Sequence, residues 1–194
     1  VMASKIKVDT LETANGSGTI ALSNQLSGMT TASLPTLTST EMPAGSVLQV
    51  IEGTPYTAYA TTSVIIPRDD TIPQISEGTE YVTVAITPTS SSSKLHITAS
   101  SGQTNSGAAA FVTMALFQDS TANALASSYA YHSAANWPRD SVLKYEMTSG
   151  TTSETTFRLR MGASTSTASV NGNSSGRQMG GTTAVRLAVM EVKG

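Results

Sequence analysis

The chain contains no cysteine, which excludes disulfides and thiolate metal sites and leaves packing or oligomerisation as its sources of stability. Only 12% of its residues are charged, 11 Lys and Arg against 13 Asp and Glu. With no basic excess to hold a phosphate backbone, nucleic acid is not an expected partner. There is no run of about 18 apolar residues and no charged flank leading into an apolar stretch, so no membrane insertion and no secretory signal are expected. Sustained apolar periodicity of 3.6 residues is also missing, and almost no helix is expected. Aromatic residues amount to 5%, so any place where rings gather stands out.

Hydroxyls and short β-branched runs fill the space these absences leave. Ser and Thr supply close to a third of the 194 residues, a surface rich in hydroxyls and unlike that of typical cytosolic enzymes. The length suits one main domain with a short appended segment. Strand-like segments recur at Ser46–Ile51, Thr62–Ile66, Tyr81–Thr87, Lys94–Ser100, Ala109–Gln118, Ser127–Ser133, Ser141–Met147, Thr155–Met161 and Thr183–Val192. Turn chemistry lies between them, as at Pro43–Gly45, Glu77-Gly78 and Asn171–Asn173. This spacing predicts an all-β sandwich or barrel.

Two segments define their own faces. Val82, Val84 and Ile86 alternate with Thr83 and Ala85, and Phe157, Leu159 and Met161 alternate with Arg158 and Arg160. The aliphatic side of each is expected to be core. Two others, Phe111–Phe117 and Val185–Val192, are apolar at nearly every position and need cover on both faces. A second subunit would supply that cover; a loop over the small residues Thr113, Ala115 and Ala188 is the alternative. Residues 1–45 are different again. Ile6, Val8, Leu11, Ile20, Leu22 and Leu26 lie among Ser, Thr, Gly and Asn, too few to close a core, and are expected to dock on another molecule.

No phosphate-binding glycine loop or paired metal-ligand histidines occur, and no cofactor is expected. The acidic pairs Asp69-Asp70 and Glu77/Glu80 fall in turn-like positions where solvated loop roles outweigh catalysis. Tyr129, Tyr131, His132, Asn136, Trp137, Arg139 and Asp140 form the one dense group of rings and hydrogen-bonding side chains. Such a group suits a surface that holds a sugar face or a protein epitope; alternatively Trp137 plugs one end of the sandwich.

Ser4–Glu12 (SKIKVDTLE), Gly18–Leu22, Met42–Val50, Tyr81–Pro88, Ser92–Leu95, Ala115–Ser120 and Thr183–Gly194 together resemble tail-fibre-like and virion-appendage proteins of aquatic phages. The resemblance implies an N-terminal attachment segment, residues 1–45, and a jelly-roll head, residues 46–194, on the trimeric tumour-necrosis-factor or C1q plan. In that plan the last strand lies near the threefold axis, which would place Val185, Leu187, Val189 and Met190 at a homotrimer interface. The expected partners are the chain itself, other phage virion proteins and a host surface glycan or protein. The expected location is the virion, assembled in the host cytoplasm, with no enzymatic activity. Capsid decoration is the alternative to a tail-fibre or receptor-binding role.

This organisation carries a direct test. Removing residues 1–45 is expected to leave the head folded while abolishing its incorporation into particles, read by thermal melting and by particle composition. Loss of head folding would make the segment part of the core.

Overall fold

The computed structural model describes residues 38–107 and 109–194. Within them the compact unit starts at Thr38 rather than Ser46. Residues 38–45 are tied to the last strand, because the Lys193 ammonium donates to the Thr40 and Met42 carbonyls and Gly45 N–H donates to Lys193 O. The docking candidates Ile6, Val8, Leu11, Ile20, Leu22 and Leu26 lie outside the described residues.

Two antiparallel sheets pack face to face as a jelly roll. One has the order β1 (Val47–Glu52), β12 (Arg186–Val192), β4 (Lys94–Asn105), with β7 (Arg139–Thr148) along the far edge of β4. The other has the order β3 (Thr79–Ile86), β8 (Thr155–Ala163), β5 (Ala110–Gln118), β6 (Ala126–His132). β4 is long enough to serve two neighbours on one edge. β12 pairs with it from Lys94 to Ser100, and the short β9 (Ala168–Val170) takes over at Gln103–Asn105, with β2 (Ala60–Thr62) outside it. A small hairpin, β10 (Gly172–Asn173) and β11 (Gly176–Arg177), follows β9.

The expected alternation builds the core. Val82, Val84 and Ile86 of β3 and Phe157, Leu159 and Met161 of β8 are buried with Met114 and Leu116 against Leu95, Ile97, Leu187 and Val189 of the opposite sheet. On the other face of β8, Arg158 pairs with Glu80 at 3.3 Å, and Arg160 donates to the carbonyls of Glu77 and Gly78 at 2.9 and 2.8 Å. Gly78 turns there with φ +62°, and a Cβ on it would sit 2.7 Å from Met161 O. Both the left-handed backbone and the close approach require glycine.

The two strands that read as apolar on both faces resolve differently. β5 is covered by the chain itself: Ile66 and Ile75 of the β2–β3 connection close over Ala115 and Phe117. β12 alternates after all. Val185, Leu187 and Val189 are fully buried in the core of their own chain, so they offer no surface to another subunit, and the interface expected there is corrected. The opposite face of β12, with Ala188, Met190 and Val192, stays half-buried.

Glu191 is the exception on the inner side. Fully buried, it accepts from Gln49 Nε2 at 2.6 Å and from the N–H and hydroxyl of Thr89, both at 2.8 Å. Burial works to raise its pKa, but the Ser93 hydroxyl, the Gln49 amide and the Thr89 donors together outweigh burial and hold it below the ordinary glutamate value. This carboxylate joins β12, β1 and the β3–β4 connection at one end of the sandwich. Its stabilisation is therefore present above the unfolded-state pKa of about 4.3 and lost as pH falls through the lower folded value. Glu191→Ala is expected to cost about 2–3 kcal/mol at neutral pH, read by denaturant melts, with the gap to the parent narrowing at more acid pH. A gap that is constant with pH would show that the charge does not matter.

Candidate functional site

The cross-strand register decides which of the expected surface residues meet. On β6, Tyr129 and Tyr131 point away from the core, and Tyr131 lies opposite Phe111 while Tyr129 lies opposite Thr113. Side chains of directly paired residues share a face of the sheet. The result is an aromatic ledge, with the Phe111 ring 5.6 Å from that of Tyr129 and 5.0 Å from that of Tyr131. The Arg68 guanidinium stacks 4.1 Å over Phe111. The β2–β3 connection that covers Ala115 and Phe117 thus continues into the ledge, and a groove runs between Arg68, Pro73, Phe111 and Tyr129. Tyr129 is 68% exposed and Tyr131 46%, so the ring faces are open to solvent.

His132 does not belong to this surface. It is fully buried, because its position on β6 shares the inward parity of Ala126 and Ala130. Its Nδ1–H donates to Trp137 O at 3.0 Å. Burial pushes its pKa below the ordinary histidine value; the Trp137 carbonyl opposes that shift and the nearby Arg139 charge adds to it. A neutral imidazole therefore pins the β6–β7 loop, a positioning role in place of the expected contact role.

That loop presents Trp137 with 56% of its surface exposed, which rules out the plug and leaves the ring available for contact. Arg139 is exposed beside it in the chain. Asn136 and Asp140 line a separate cavity formed with residues 171–183. The expected cluster is thus two neighbourhoods, the ledge and the Trp137 loop. Phe111 and Arg68 were not legible as ledge residues, since only the β5–β6 register and the path of the β2–β3 connection bring them to the tyrosines.

The acidic turns are occupied structurally. Asp69 accepts from the N–H and hydroxyl of Thr71, and the Thr71 hydroxyl, then its N–H, hold the Asp69 carboxyl below its ordinary value. Glu80 is engaged by Arg158 and Arg160. Among the described residues no three His, Cys, Asp or Glu side chains gather as a metal site would need.

Comparison with known proteins adds one match. Residues 64–194, two thirds of the chain, match the model of a family described as the Pgp3 C-terminal domain. The matched stretch runs from just after β2 to the last residue and takes in both the ledge and the Trp137 loop. No curated protein shows significant similarity to the chain.

Because Trp137 is exposed and Phe157 is fully buried, their truncations are expected to differ. Trp137→Ala should change stability by about 0.5 kcal/mol or less, whereas Phe157→Ala should cost about 3–5 kcal/mol, both read by denaturant melts. Equal losses would show that the tryptophan is a structural plug in solution.

Proposed function

We propose, from the premise that this chain belongs to the Pgp3 C-terminal domain family over residues 64–194, that it is a non-catalytic jelly-roll head acting as a homotrimer. The family's domain is a trimerising one, which supports self-association here. The observation that carries the reading is the outer face of the sheet β1–β12–β4–β7. Val50, Met190, His96 and Glu146 line up across it, and Glu52, Ala188, Thr98 and Lys144 form the next row. Val50 is 62% exposed. Among the described residues this face has no cover comparable to that over β5, and it carries Val50 on the edge strand β1 and Ala188 and Met190 on β12 beside it. Burying such a face against copies of itself would add apolar burial to a sandwich that has no disulfides.

The trimer leaves the opposite sheet, with its ledge of Phe111, Tyr129 and Tyr131, facing outward. Rigid rings beside a guanidinium suit contact with a host surface glycan or protein. The likeness of Ser4–Glu12 and the following stretches to phage tail-fibre and virion-appendage proteins supports a place on a phage-like particle. The function proposed is thus that of a tail-fibre or receptor-binding appendage, docked by its N-terminal segment.

Sedimentation equilibrium is expected to give about three times the 20.0 kDa chain mass. The pair Val50→Arg and Met190→Arg, placed on the outer face, should yield a folded monomer with the core signals retained. A stable wild-type monomer at micromolar concentration would remove the trimer. Counting copies on purified particles then separates the roles: a few tens or fewer fits an appendage, whereas hundreds would make it a shell decoration.

A further inference from the structure

The outer strand of a sheet offers unpaired N–H and C=O groups to other strands, and proteins blunt such edges with bulges, charged side chains or short length. Among the described residues, all but one of the outer strands of the two main sheets carry such a device. β1 breaks register between Val47 and Gln49, and β3 between Glu80 and Val82. β7 carries Arg139, Asp140, Lys144 and Glu146, and β2 is three residues long. β6 is the exception. Its seven residues, ASSYAYH, include no carboxylate, lysine, arginine or proline, and they pair with β5 in unbroken register from Ala126 to His132. β6 ends its sheet, so among the described residues no strand lies along its other edge. The β2–β3 connection bridges Gln74 to Asn123 and stops there, short of β6.

A second observation falls on the same side of the sandwich. β7, the outer strand of the facing sheet, is in contact with β6. Ala126 on β6 and Tyr145 and Met147 on β7 pack against the core yet stay half-buried. The inward side of β6 is half-buried at Ser128 and Ala130 as well. One further strand beyond β6 would cover this margin with its inward side chains. Its outward side chains would lie beside Tyr129 and Tyr131, which stand two residues apart, about 6.6–6.8 Å of strand rise. Side chains on one face of an added strand repeat at that same spacing.

We propose that β6 is a docking edge for an extended segment of a partner protein, which adds to the sheet as a fifth strand. The main-chain groups of β6 supply the hydrogen bonds, and the ledge and the half-buried margin select the alternating side chains. The absence of charge on β6 fits an uncharged segment with apolar side chains facing the margin. A second copy is the weaker occupant, because a trimer with three such edges would link to further trimers through β6 against β6. The inference rests on the proposed outward-facing ledge and names its partner class, a protein strand in place of a glycan.

The test uses the full chain, isotope-labelled, with capped seven-residue peptides that are uncharged and alternate Val, Leu or Tyr with Thr. At least one is expected to give saturable amide shifts and slowed hydrogen exchange over residues 126–132. N-methylation of alternate peptide amides separates the two edges of the peptide: blocking the set that faces β6 should abolish binding, and blocking the other set should leave it intact. Tyr129→Ala, at an exposed position, should weaken binding about tenfold without lowering the melting temperature. No peptide response at β6, or equal loss from both methylated sets, would overturn the proposal. So would β6 amides already protected in the chain alone together with a mass above the trimer, since a second copy would then hold the edge. Cellotetraose serves as the glycan arm: if it shifts the ledge while no peptide reaches β6, this inference fails and glycan contact by the ledge stands. Peptide docking on a chain that is absent from particles would sink the appendage role alone.

Discussion

Burying one face of each sheet leaves a second face to be covered, and the two sheets of this molecule meet that constraint differently. Over β5 the chain covers itself, with Ile66 and Ile75 closing on Ala115 and Phe117. Over β12 and β1 none of the described residues does, and Val50 is 62% exposed. Apolar area on an exposed sheet favours association. The asymmetry is what the proposed trimer rests on: the less covered sheet is the one proposed to meet other copies of the chain.

The same economy shapes the ends of the sandwich. At one end, buried Glu191 gathers Gln49 and Thr89 and turns a potentially costly charge into a fastening between the first and last strands. At the other, β4 outruns β12, and the short strands and hairpin of residues 168–177 fill the vacated edge. That second end is built from Ser, Gly and Asn with few apolar groups. Hydrogen bonds hold it together with the packing of Ala168 and Val170 into buried apolar clusters, and it carries the orphaned Gln103 and Asn171 atoms.

Much of the fold was legible in the sequence, and the reasons are local. Alternation over Val82–Ile86 and Phe157–Met161 named the core faces correctly, because period two is a property of one strand and needs no knowledge of its neighbours. β12 misled because Ala188 and Met190 made its outer side look like a second core face, although burial follows the inward parity of Leu187 and Val189. Strands β9 to β11 were invisible, since Ala168–Val170 forms a strand only on the edge that β4 offers and β10 and β11 are two-residue strands that pair only with each other. The candidate site was half legible. The rings of Tyr129 and Tyr131 are exposed, and Trp137, which the sequence left open between surface contact and an end plug, is exposed as well, but His132 turned inward by parity. Phe111 and Arg68 joined through register and chain path, which are long-range facts.

The claim on which the rest turns is that the sheet face bearing Met190 and Val50 lies against other copies of the chain while the aromatic ledge does not. Hydroxyl-radical footprinting of the purified full chain, read residue by residue by mass spectrometry, addresses it in one measurement. The account predicts rapid modification of Met179, Tyr129 and Tyr131 together with protection of Met190 that is lost on dilution or in Val50→Arg. Modification of Met190 in proportion to its exposure in a single chain, unchanged by concentration, would contradict it.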